Sequence, residues 1–152
     1  MKKNSVLYIV LTLLAVLSLT GIAATPVKEA PYTLTATLMG ANEVPGPGDP
    51  DGVGNATIKI NYGQGRLCWS IHVSGITLPA TAAHIHDAPA GVAGPVFIPL
   101  SAPTAKGASS GCSIVSQDLL KEILEDPSDY YVNVHNADYP AGALRGQLTF
   151  TP

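Results

Sequence analysis

Period-two alternation is the feature that most restricts what this chain can fold into. Successive side chains on a strand point to opposite faces, so an apolar residue at every second position marks a strand with one face turned inward. From Tyr32 to Met39, Tyr32, Leu34, Ala36 and Leu38 alternate with threonines. Ala56, Ile58 and Ile60 share one face of Asn55 to Asn61. Leu67, Trp69, Ile71 and Val73 share one face of Leu67 to Ser74, leaving Cys68, Ser70 and His72 on the other. Pro95 to Leu100, Tyr130 to Asn136 and Ala143 to Phe150 read as further strands, and the His84 and His86 segment is strand-like. Turn-forming residues, drawn from 15 Gly and 13 Pro, separate these runs. Short alternating strands bounded by Gly and Pro predict an all-β sandwich or barrel.

The interruptions are as informative as the strands. GANEVPGPGDPDGVGN, after the first strand, is a long loop by its Gly, Pro and Asp content, and loops of that length often carry function. Ser101 to Gly111 reads as a second loop, and Ala137 to Ala143 as a turn between the last two strands. One short helix is expected near 117–125: Ser116 is the N-cap, Leu119, Leu120, Ile123 and Leu124 form the apolar stripe, and Pro127 ends it.

Lys2 and Lys3 precede an apolar run from Val6 to about Ile22, with small residues at Gly21, Ala23 and Ala24. This is the layout of an export signal, so residues 1–24 are expected to be a cleaved leader, 25–31 a short linker and 32–152 the domain. A retained N-terminal anchor is the alternative reading. The expected destination is the cell envelope, the periplasm or the outside, with no membrane span after cleavage. Without Lys2 and Lys3, six of the 8 basic residues face 11 acidic ones, a net charge of about −5. Such a surface offers no basic footprint, which excludes nucleic acid as a partner. In an oxidising compartment the two cysteines, Cys68 and Cys112, read first as a disulfide. Closing that loop would stabilise the fold by about 4 kcal/mol in the chain-entropy model. Thiolate ligation is the rival, but neither cysteine stands in a CxxC spacing.

Three histidines carry the sharpest chemistry. His84 and His86 project from one strand face, and His135 ends YYVNVH. Imidazole is a common zinc and copper ligand, so His84, His86 and His135 form a candidate copper or zinc site if their strands are neighbours, with His72 as a conceivable fourth nitrogen. The competing reading is a structural hydrogen-bond network that also draws on Asp87, Asn133, Asn136 and Arg145. Glu43, in the long loop, and Arg145, in the last strand, are expected to form a buried ion pair that fixes the loop to the sheet. The alternative role of Glu43 is ligand, or acceptor for a partner's cation. GASSG at 107–111 formally matches a nucleophile elbow around Ser109, but the chain lacks the strand–turn–helix context that motif needs.

Three phrases, in order, are ATLMGANEVPG, TAAHIHDAPAGVAGPV and YYVNVHNADYPAGALRGQL. Together they resemble the CHRD domain, the module repeated in chordin and found singly in secreted microbial proteins, over about 32–151. Asp87 departs from the glycine usual after the second histidine. The resemblance implies an immunoglobulin-like or superoxide-dismutase-like antiparallel Greek-key β-sandwich and a module with no settled enzymatic activity. It does not transfer chordin's antagonist role, because this chain has one copy and none of chordin's cysteine-rich modules. Four histidines cannot build the two-metal site of a copper–zinc superoxide dismutase. The leading expectation is therefore a secreted, non-enzymatic binding or structural module. Its partner would be an extracellular or envelope protein or a matrix ligand, with a small copper or zinc protein as the alternative.

Overall fold

The computed structural model describes residues 30–151, so the expected leader lies outside the described residues. Among the described residues, nine strands and one α-helix follow in order: β1 (Tyr32–Met39), β2 (Val53–Asn61), β3 (Arg66–Ser74), β4 (Ala82–Asp87), β5 (Val96–Leu100), β6 (Ala108–Ile114), α1 (Gln117–Glu125), β7 (Tyr130–His135), β8 (Leu144–Gln147) and β9 (Thr149–Phe150). The all-β, antiparallel expectation holds. The strands form one continuous sheet in the order β5-β4-β7-β8-β1-β2-β3-β6, with β9 paired to β1.

Alternation decides which face is inside. Leu34, Leu38, Ile58, Ile60, Leu67, Ile71, Ile85, Val132 and Leu144 are fully buried and belong to one cluster. They come from six different strands. A flat sheet cannot bring them all to one core, so the sheet curls into a nearly closed, barrel-like shell with an apolar interior. Each such side chain contributes about 1.5–3 kcal/mol by leaving water. The exposed Lys121–Glu125 pair, at 3.4 Å, adds about 0–1 kcal/mol, so the apolar interior dominates stability. Helix α1 buries Leu120 and Ile123 against the same core, with Ser116 Oγ accepting from the Leu119 amide at its start.

Two expectations change. Residues 108–114 form strand β6, although Ser101 to Gly111 reads as a loop; ASSGCSI has little β-branched or aromatic content, and its pairing with β3 supplies what local propensity does not. Tyr32 is 40 % exposed, because the first residue of β1 lies beyond the reach of the core.

The expected disulfide is present. Cys68 and Cys112 stand directly opposite each other in the β3–β6 register, with Cα atoms 4.0 Å apart. One step along, Trp69 faces Gly111, and a Cβ on that glycine would lie 2.5 Å from Trp69 Cζ2. The indole therefore occupies the space a side chain would need. Gly111→Ala is expected to lower stability by about 1–3 kcal/mol in urea titrations, and a loss under 0.5 kcal/mol would show that the indole yields easily. Native, unreduced protein is expected to resist thiol alkylation, with labelling appearing only after reduction.

Candidate functional site

The outer face of β4, β7 and β8 carries the polar side chains that alternation excludes from the core. In register, His84 lies opposite Asn133, which lies opposite Arg145. The next rung runs His86, Tyr131, Gln147. His135 pairs with Ala82 and so reaches His84 diagonally. The loop of residues 88–95 meets Arg145 and Tyr131 on this face and Glu43 meets Asn133, so Arg145 is 1 %, Asn133 2 % and Tyr131 3 % exposed despite their outward direction.

Arg145 holds that loop down. Its Nη1 donates to the Val92 carbonyl at 2.8 Å, and its Nη2 donates to the Pro89 carbonyl at 2.8 Å. Nε and Nη2 also donate to Gln147 Oε1. Gln147 Nε2 in turn donates to the Ala88 carbonyl at 3.1 Å. The guanidinium carbon sits 3.5 Å from the centre of the Tyr131 ring, and the His86 ring stacks against Tyr131 at 4.9 Å and 11°. Since β7 lies between β4 and β8, Tyr131 is the middle layer of a His–Tyr–Arg stack, a cation–π arrangement removed from water.

The expected Glu43–Arg145 ion pair is not formed. Glu43 Oε1 instead accepts from Asn133 Nδ2 at 2.5 Å, while Arg145 turns its fork to the loop carbonyls. The register explains the exchange: Asn133 lies directly across from Arg145 and takes the carboxylate. Glu43 is 7 % exposed, and burial pushes its carboxyl up from 4.5 to about 7, against the downward pull of Asn133, Arg145 and the Val44 amide. Gly142, at a φ of 154°, lets the chain pass where a Cβ would press on that carboxylate. Asn42 Nδ2 donates to the Arg145 carbonyl, and a cleft of roughly 420 Å³ runs between residues 41–44 and 90–91, with Arg145 and Gln147 in its wall.

The structure brings the three expected histidines together. His84 Nδ1 is 3.3 Å from His135 Nε2, and one ring nitrogen from each of His84, His86 and His135 lies within 4.8 Å of the others. His86 Nδ1 meets the Gly94 carbonyl at 3.0 Å, and His135 Nδ1 meets the Pro140 carbonyl at 3.1 Å. A carbonyl only accepts, so both rings carry hydrogen on Nδ1 and present a bare Nε2. His86 Nε2 is buried with no hydrogen-bond partner. Burial is the main influence lowering all three below the ordinary imidazole value of 6.5; neighbouring histidines add to it for His84, and the Gly94 and Pro140 carbonyls oppose it for His86 and His135.

His72 does not join this group; it lies on β3, with Nε2 3.3 Å from Ser70 Oγ. Ser109 sits within β6 on a strand, without the turn a nucleophile elbow requires. The stacked Tyr131 and the bridging Gln147 escaped the sequence reading as functional candidates, although their period-two step with Asn133 and Arg145 was visible. The backbone acceptors at Pro89 and Val92 leave no sequence signal.

The comparison with known families fits this geometry. The CHRD domain model matches residues 34–148. The chain belongs to the CHRD domain family. No curated protein sequence matches it. CHRD domains are non-enzymatic modules, and the three phrases that carry the resemblance fall on β1 with its long loop, on β4 with the 88–95 loop, and on β7 with β8. Those are the elements that build the polar ladder. Asp87, the departure from the usual phrase, ends β4 with its side chain exposed, so it leaves the ladder untouched. The disulfide is compatible with an extracellular location, and among the described residues no helix is long and apolar enough to cross a membrane.

Two outcomes follow from the ladder. Because the folded Glu43 carboxyl titrates above its unfolded value, folding favours its protonated form, and its contribution to stability is lost as pH rises from about 4.5 through about 7, while the three lowered histidines contribute in the opposite sense as pH rises toward 6.5. The Glu43 contribution is at most about 3 kcal/mol, and Glu43→Gln, which keeps an acceptor for Asn133, is expected to remove it and leave only the rising contribution of the histidines in chemical denaturation at several pH values. Arg145→Lys removes the planar fork; a loss on the order of 3 kcal/mol and faster amide exchange in residues 88–95 are expected. Unchanged exchange there would show that the loop holds itself.

Proposed function

We propose that this CHRD domain is exported and acts as a non-catalytic binding module. It holds an extracellular or envelope protein, or a matrix ligand, at the cleft between residues 41–44 and 90–91. The observation that carries this reading is the anchoring of the 88–95 loop by Arg145 and Gln147, two side chains of a rigid strand. A loop fixed before binding loses little entropy on binding, which is what a recognition surface needs. The Glu43–Asn133 contact does the same for the opposite wall. Export is supported by the basic and apolar N-terminal pattern and by a disulfide that an oxidising compartment maintains.

Catalysis has less support. Ser70 and His72 are within hydrogen-bond distance, but among the described residues no carboxylate is bonded to His72 to orient it. Ser109 Oγ is buried and has no hydrogen-bond partner among the described residues.

The test places a photo-crosslinking amino acid at Ala90, on the cleft, and separately at Lys59, exposed on β2. Each variant is expressed from the full chain in the native host. Adducts from the Ala90 position alone, on a chain shortened by about 24 residues in the envelope or medium, are the expected result. Equal adducts from both positions, none from either, or an unprocessed cytoplasmic chain would overturn the proposal.

A further inference from the structure

The geometry points to a divalent first-row metal site, for zinc or copper, formed by His86 Nε2, His135 Nε2 and His84 Nδ1 on the outer face of β4 and β7. None of the three histidines lines the cleft between residues 41–44 and 90–91, so the inference does not depend on the binding role proposed above.

The first argument is distance. Two nitrogens about 2.0–2.1 Å from a tetrahedral ion stand about 3.3–3.4 Å apart. His84 Nδ1 and His135 Nε2 are already 3.3 Å apart, and the three rings offer nitrogens within 4.8 Å of one another. A movement of about 1–2 Å by one ring completes the remaining edges.

The second argument is orientation. A ligating imidazole typically donates its other N–H to a backbone carbonyl or a carboxylate, which fixes the tautomer and aims the lone pair. His86 has this arrangement toward Gly94, and His135 has it toward Pro140. Each carbonyl belongs to a loop tied to the sheet: the first by Arg145, the second by the Asn136 side chain, whose Oδ1 accepts from the Tyr139 amide at 2.7 Å.

The third argument is the unsatisfied lone pair. A buried acceptor without a partner is destabilising, and His86 Nε2 is such an acceptor. A metal ion satisfies it, whereas the hydrogen-bond network seen among the rings does not. In that network His84 Nδ1 donates to the bare His135 Nε2. Metal binding moves this proton to His84 Nε2, a shift within one ring that releases no net proton. Three protein nitrogens leave one tetrahedral position, on the partly exposed side of His84 and His135, for water or an exogenous donor.

The experiment uses the exported chain without a histidine tag, stripped with a chelator. Zinc is titrated in competition with a chromophoric chelator, and imidazole nitrogen shifts are followed by long-range NMR. One equivalent is expected to bind, moving Nε2 of His86 and His135 and Nδ1 of His84. Binding is expected to weaken by at least about 100-fold in His135→Ala and to stay unchanged in His72→Ala. Cupric ion should give an electron paramagnetic resonance spectrum with nitrogen couplings from the same three rings. Ring nitrogens unmoved by either metal, or binding lost in His72→Ala and kept in His135→Ala, would overturn the site. The nitrogen shifts are read on the unsubstituted protein, so the result stands even where a variant folds poorly.

Discussion

A guanidinium out of water is the constraint on which the functional half of this molecule turns. Arg145 points away from the core yet is 1 % exposed, so its donors must find protein acceptors. The Pro89 and Val92 carbonyls and Gln147 supply them. The loop and the arginine therefore define each other: without the loop the charge would be solvated, and without the charge the loop carbonyls would lack donors. Tyr131 completes the arrangement by presenting a ring face to the cation.

Burial also sets the protonation of the groups around this ladder. Glu43 loses water and gains only a neutral amide as its nearest donor, so its carboxyl titrates near 7. The histidines are held below their ordinary value by the same loss of solvent. One shielded layer thus contains an acid able to stay protonated and bases able to stay neutral, on strands whose other face is hydrocarbon. The barrel interior takes no part in this chemistry; it supplies the rigid register that makes the rungs.

Much of the fold was legible because alternation is a local signal. Leu67, Trp69, Ile71 and Val73 are buried as their spacing requires, and α1 spans 117–125 as its leucine stripe and Ser116 imply. Strand β6 was not legible, since ASSGCSI acquires its conformation from pairing with β3 and not from its own composition. At the site, the convergence of His84, His86 and His135 followed from strand periodicity and needed only the adjacency of β4 and β7. The Glu43 partner was misassigned because charge complementarity favours arginine, while the choice was made by backbone carbonyls and by the position of Asn133. Sequence carries residue types; it does not carry which main-chain acceptors a loop will bring near them.

The shell does not close, and its two rims at β5 and β6 are finished differently. On the β5 side, Pro99 removes an amide donor and a register shift at Ile85/His86 breaks the ladder. On the β6 side the strand is regular, and the covalent link from Cys112 to Cys68 keeps it from peeling away. An open strand rim invites pairing with another chain. One rim here is a poor template by construction, and the other is a fastened hem. That single bond therefore sits on the one regular rim, away from the polar ladder on β4, β7 and β8.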